Sequence, residues 1–159
     1  MKWRTINKEN IDLIKFLKDF VDTPNLIVHI GTDAQAVGHN RADFVTVVCV
    51  HAIDESRTVS SRVLYWKDKQ VPFHSLWEKL YGETERSLRV AVFLDEQFEE
   101  SFRDKILVHV DANPDPLFKS SNYVKQLAGM VMGYGFNHIL KPNAWAASHA
   151  ADHIVKRKN

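Results

Sequence analysis

Two aspartates stand where two strongly apolar runs end. Asp33 closes Leu26-Ile27-Val28-His29-Ile30-Gly31-Thr32, and Asp111 closes Ile106-Leu107-Val108-His109-Val110. An apolar run of this kind reads as a strand that buries its middle and delivers its last residue to a sheet edge. If the strands are neighbours, two carboxylates lie side by side, which is costly unless a cation or a proton separates them. A hard divalent cation such as Mg²⁺ or Mn²⁺ wants several carboxylate oxygens. Two such ions, about 3.5–4 Å apart, clamp the attacking and leaving oxygens of a phosphoryl transfer. That chemistry requires three or four acids from different elements.

The further acids are on predicted helices. Glu83 precedes Ser87, Val90, Ala91 and Leu94 at helical spacing, so it lies on the face that packs on a sheet. Glu85 points roughly 200° away and is the weaker choice. Asp152 shares a helix face with Trp145, Ser148 and His149. The candidate metal ligands and catalytic acids are therefore Asp33, Glu83, Asp111 and Asp152.

Around them, Gln35 and Asn113 either touch substrate or serve turn chemistry. Lys141 can contact a phosphate, and Ser148 and His149 border the same region. His149-Ala150-Ala151-Asp152-His153 imitates an inverted zinc-hydrolase motif, although its acid is one carbon short. His29 and His109 alternate with apolar residues and read as sheet-surface or satisfied core histidines. Lys67, Lys69 and Lys79, interleaved with Trp66, Phe73, His74 and Trp77, suggest either a basic-aromatic loop that grips nucleic acid or a solvated loop.

The elements that must hold these groups follow from periodicity. Residues 7–20 predict an amphipathic helix capped by Asn7. Residues 26–32 predict a strand and 34–43 a turn; 44–53 and 58–66 predict a hairpin pair, followed by a loop over 67–74. A long helix is predicted over 75–99, interrupted by Gly82, which costs about 1 kcal/mol relative to Ala or permits a close approach. A strand over 105–110, a loop over 111–119, a helix capped by Ser120 or Ser121, a strand over 138–140 and a helix over 144–156 complete the chain. The expected fold is α/β: a mixed five-stranded sheet, three antiparallel strands followed by alternating helix and strand, with helices on both faces. In such sheets ligands gather at the carboxyl ends of the parallel strands.

Length fits a single domain, residues 1–159, with 1–22 as a helical N-terminal extension. The formal net charge of +1 gives no global field for polyanions, so nucleic-acid binding needs a local basic patch. The single cysteine, Cys49, excludes a disulfide framework and reads as a small core residue. Residues 1–4 lack a signal peptide's apolar region, and no apolar run approaches membrane-spanning length, so a cytoplasmic protein is expected.

The order of elements and acids resembles the ribonuclease H fold. More narrowly, Ile30-Gly31-Thr32-Asp33-Ala34-Gln35, Val110-Asp111-Ala112-Asn113 and Lys141-Pro142-Asn143-Ala144-Trp145-Ala146-Ala147-Ser148 resemble the YkuK-like family of predicted ribonuclease H-related nucleases. The resemblance covers nearly the whole chain after the first helix. It implies Mg²⁺- or Mn²⁺-dependent hydrolysis of nucleic-acid phosphodiesters by a two-metal mechanism, with Asp33, Glu83, Asp111 and Asp152 as ligands. The alternative is a catalytically inactive module of the same fold that binds nucleic acid or protein. A further alternative is a zinc hydrolase using His149 and His153.

Overall fold

The two apolar runs that lead to Asp33 and Asp111 are neighbouring parallel strands. In the computed structural model, which describes residues 1–23, 25–38, 40–53 and 59–146, β3 (Ile27–Gly38) pairs with β6 (Ile106–Val110) from Val28↔Ile106 to Gly31↔His109. Around this pair lies a seven-stranded sheet in the order β2-β1-β5-β4-β3-β6-β7. Its other members are β1 (Trp3–Thr5), β2 (Asn10–Ile11), β4 (Arg41–Ile53), β5 (Val59–Pro72) and β7 (Asn137–Leu140). β3 to β5 form an antiparallel meander, and β6 and β7 add in parallel, each reached through a helix.

The expected five strands are thus seven, and the difference lies at the N-terminus. The predicted helix over 7–20 shrinks to α1 (Leu13–Lys18), because Asp12 rather than Asn7 caps it, its carboxylate accepting from Lys15 N at 2.9 Å. Upstream, Arg4 pairs with Tyr65 and Thr5 with Leu64, so β1 extends the sheet and buries Trp3 in the main core. The helical periodicity of Ile11, Ile14 and Leu17 was real only for its second half. An anchoring tryptophan and a sheet edge in need of a partner decide the first half.

The meander strands are also longer than expected. The region 34–43, predicted as a turn, continues the ladder through Ala34↔Phe44, Gln35↔Asp43 and Ala36↔Ala42. Among the described residues of this stretch, Gly38, at φ +96°, and Asn40, at φ +55°, take the left-handed conformations that a tight turn needs. Burial of Ala34, Ala42 and Phe44 as one cluster overrides the weak strand preference of alanine. Likewise β5 runs to Pro72, through the charged stretch predicted as a loop. The connection over 54–58 lies outside the described residues.

Period-2 alternation gives the sheet two different faces. Val28, Ile30, Val48, Val50, Leu64, Val108 and Val110 form one core with Leu13 and Leu17 of α1, Leu80, Leu88, Val90 and Leu94 of α2 (Leu76–Gln97), and Leu127 and Val131 of α3 (Val124–Gly133). Among the described residues α1, α2 and α3 cover this face. The other face carries a smaller cluster, Val45, Val47 and Tyr65, closed by Ala146. The predicted last helix falls mostly on residues 147–156, outside the described residues.

α2 is the element that matters most for the site. Ser75 caps it, its hydroxyl accepting from Glu78 N at 3.1 Å. Gly82 does not break it. A Cβ there would lie 3.2 Å from Phe44 Cε1 and 3.3 Å from Arg86 Nη1, so glycine lets the helix approach β4 closely. α3 is preceded by a 3-10 turn over Lys119–Tyr123, which replaces the serine cap expected at Ser120 or Ser121.

Candidate metal centre

The middle of β3, the first residue past β6 and the second turn of α2 meet at one point. Asp33 lies within β3, Asp111 immediately follows β6, and Glu83 projects from α2, only 2% exposed. Each offers one carboxylate oxygen, and these atoms all lie within 4.8 Å of one another. The Gly31↔His109 pairing sets this closeness, since two residues farther along each strand are Asp33 and Asp111.

Glu83 is held in a fixed pose. Its Oε1 accepts from Ala34 N at 3.0 Å and from Lys79 Nζ at 2.7 Å. Its Oε2 is buried without a hydrogen-bond partner. Asp111 Oδ1 lies 2.8 Å from Lys141 Nζ, an ion pair whose geometry is not that of a hydrogen bond. A line of hydroxyls supports the cluster from the helix side. Thr32 Oγ1 sits 2.9 Å from Thr46 Oγ1 and 2.8 Å from Ser87 Oγ, and Ser87 donates to the Glu83 carbonyl at 3.2 Å.

The electrostatics reflect three acids in a confined space. Burial pushes the Glu83 carboxyl up to about 8; Lys79 opposes this, while Asp111 and Asp33 reinforce it. Burial works against the Lys79 ammonium, but the Glu83 carboxylate, with help from Asp33 and Asp111, raises it on balance. A group that must either hold a proton or find a cation marks a site for one. An all-oxygen donor set with a buried unpartnered oxygen suits a hard divalent cation rather than a softer ion.

Of the predicted site residues, Asp33, Glu83 and Asp111 converge. Glu85 does not; it pairs instead with Arg89 at 2.6 Å on the outer side of α2. Lys141 lies beside the cluster, its Nζ 2.8 Å from Asp111 Oδ1. Gln35 is exposed on β3, opposite Asp43 and two residues past Asp33. Asn113 is committed to the turn: its Oδ1 accepts from Asp115 N at 3.0 Å, and its N–H donates to Ser120 Oγ at 3.0 Å. Asp152, Ser148, His149 and His153 lie outside the described residues. The basic-aromatic loop does not exist as one unit. Lys79 belongs to Glu83, Trp66 packs into the main core, and Lys67 projects from the opposite face of the sheet. Lys79 is the site residue that sequence reasoning missed as such. Its signal was the i, i+4 spacing to Glu83.

Lower on the same two strands, His29 Nδ1 lies 3.0 Å from His109 Nε2, and Ala146 N donates to His109 Nδ1 at 3.2 Å. Both are buried, and Trp145 packs against both rings, at 4.8 and 5.4 Å between centroids. Burial, then His51, lowers His29 to about 4; burial, then His29, lowers His109 to about 4.

Comparison with known families matches the ribonuclease H-like family over residues 12–156. No curated protein matches the chain.

Proposed function

From the premise that this chain belongs to the ribonuclease H-like family, we propose that it is a divalent-metal-dependent nuclease acting on nucleic-acid phosphodiesters in the cytoplasm. The observation that carries this reading is the convergence of Asp33, Glu83 and Asp111 within 4.8 Å, with Glu83 Oε2 buried and unpartnered. These three acids would hold Mg²⁺ or Mn²⁺, and Asp152 is proposed to complete a two-ion set. Bound there, the ions would lower the pKa of the attacking water and stabilise the leaving oxygen. A P–O bond to the water oxygen forms, the P–O bond to the sugar oxygen breaks, and one water proton ends on the leaving group.

The chain's own residues do the positioning. Ala34 N and Lys79 fix Oε1 of Glu83 and thereby set where Oε2 points. Lys79 offsets part of the charge of the three acids, which keeps the metal-free site folded. Lys141, 34% exposed and beside Asp111, would exchange part of its ion pair for a substrate phosphate. Gln35, on the rim, would contact the sugar-phosphate chain, as would Ser148 and His149 in the last segment. Asn113 would orient the Asp111 loop through its turn bonds.

The test is hydrolysis of labelled hybrid, duplex and single-stranded substrates with Mg²⁺ or Mn²⁺, together with calorimetric Mn²⁺ titration. Wild type should bind Mn²⁺ and cleave, and Asp33→Asn should do neither well. Equal inactivity of both proteins on every substrate sinks the nuclease reading. A second reading, a binding module without turnover, is favoured by the two lysines that already sit on Glu83 and Asp111 as internal counterions. Nucleic-acid binding with no Mn²⁺ uptake would select it.

A further inference from the structure

The ladder that aligns the acids also aligns a set of cations on the sheet face opposite α1, α2 and α3, the face on which Ala146 packs over Val45, Val47 and Tyr65. Asp33 pairs with Val45, and Val45 with Lys67, so all three form one row on one face. The row above it in the chain of pairings is Gly31, Val47, Tyr65 and Arg4. Lys67 and Arg4 therefore share the face of Asp33, two strands from it and beyond, at about 4.8 Å per strand. Lys67 Nζ lies 5.8 Å from the centre of the Tyr65 ring. Lys69 follows two residues later, and Lys8 lies in the turn after β1; Arg4, Lys8 and Lys69 are exposed. Lys67 is held below the usual ammonium range by burial first, then by Lys69, with Lys8 and Arg4 adding and Asp43 opposing. Lys67 thus feels three other cations, in a chain whose net charge is only +1. On the other flank of the acids Lys141 sits against Asp111.

We infer that Arg4, Lys8, Lys67 and Lys69 form a track for a nucleic-acid sugar-phosphate backbone, leading across β1 and β5 to the acidic site. This rests on the nuclease reading for its choice of polyanion. A patch in register with the acids suits a polymer that must lay one phosphate at the acids and neighbours on either side. Lys67 would take the phosphates on one flank and Lys141 those on the other. The contacts are to phosphate, so they set register and affinity without selecting sequence.

The experiment measures binding of a fluorescent single-stranded oligonucleotide and a duplex to the full chain in EDTA, by anisotropy, across a salt series. Each lost phosphate contact lowers the slope of log K against log salt by about 0.7 on single strands and 0.9 on duplex. Lys67→Ala/Lys69→Ala should therefore flatten the slope by roughly 1.4–1.8 on these substrates, and Lys67→Arg/Lys69→Arg should restore it. Lys125→Ala, exposed on α3 on the helix side, should leave it unchanged. A double alanine variant with the wild-type slope overturns the track while leaving the nuclease reading intact. A lysine-dependent slope without any cleavage supports the track and sinks the nuclease reading. No binding by wild type, or lysine-dependent binding to anionic vesicles but not to nucleic acid, overturns the track.

Discussion

β3 and β6 carry two buried polar clusters a few residues apart, and the two solve the same problem in opposite ways. Both sites remove ionisable groups from water, which favours their neutral forms. His29 and His109 can be neutral at ordinary pH, and they drop to about 4 as a mutually bonded pair. They need no counterion and pack beneath Trp145 and Ala146 on the face opposite α1, α2 and α3. The acids cannot all become neutral together. Glu83 rises to about 8, yet Asp33 and Asp111 beside it still call for positive charge, supplied by Lys79 and Lys141. A pair that simply loses its charge is structural, whereas three converging acids balanced by lysines, with Glu83 Oε2 buried and without a hydrogen-bond partner, could hold a metal ion.

The largest effect expected from this contrast is at Asp33. Asp33→Asn removes a metal ligand and, with it, several kcal/mol of transition-state stabilisation, a loss of about a thousandfold in cleavage rate. The same change relieves like-charge repulsion, so the metal-free melting temperature should hold or rise. Rate and thermal melts on one preparation check this; a fall in both together would mean that Asp33 is structural, like the histidines.

Lys79→Met comes next. It leaves Glu83 buried without its 2.7 Å partner, a change that costs about 3 kcal/mol when the remaining charge is not compensated. Mn²⁺ should recover more stability in this variant than in wild type, because the cation replaces the missing ammonium. Denaturant melts with and without Mn²⁺ decide it; equal metal stabilisation in both proteins would show that Lys79 and the ion do not share Glu83.

These two predictions rest on different depths of sequence legibility. Asp111 was readable because its apolar run ends with β6; Asp33 was found where its apolar run stops, although β3 itself continues to Gly38, and Glu83 was separable from Glu85 by helix angle alone. The pairing of β3 with β6 followed from the order of elements. What was not readable depends on contacts distant in sequence. The first strands exist because β5 offers an edge and Trp3 has a core to enter, neither visible at residues 3–11. The length of β5 was hidden because Lys67, Asp68 and Lys69 look like a loop until their partners are known; Asp68 is taken by Arg86 at 2.6 Å. That Gly82 permits a close approach was one of its readings in the sequence, but which element approaches, Phe44 of β4, is visible only in the fold.

A smaller effect separates the clusters by pH. His29→Ala leaves the His109 ring without its partner and should cost about 2 kcal/mol, whereas replacing both histidines by leucine should cost less than the single change. The pair is depressed in the fold, so its contribution is complete above about 6.5 and is lost as pH falls through about 4. Glu83 has the opposite sign in the metal-free protein. Its raised value means that its contribution is complete below 4.5 and is lost as pH rises through about 8. Stability against pH should therefore lose its acid limb in the double leucine variant and its alkaline limb in Glu83→Gln. If either variant removes the other's limb, the two clusters are coupled and the division of roles fails.

The smallest expected effect tests whether the support beneath the acids belongs to the chemistry or to the fold. Thr46→Val removes one hydroxyl from the Thr32–Thr46–Ser87 chain but keeps the shape of the side chain. Thr32 retains Ser87, so no buried group is orphaned, and the stability loss should be about 1 kcal/mol. Thr32 is adjacent to Asp33 in β3, and Ser87 bonds the Glu83 carbonyl, so loosening this chain shifts two acids relative to each other. Cleavage should fall with a weakened apparent Mn²⁺ affinity and little change at saturating metal. A rate loss that saturating Mn²⁺ does not recover would mean that the hydroxyls act on the reacting groups and not on the placement of the ligands.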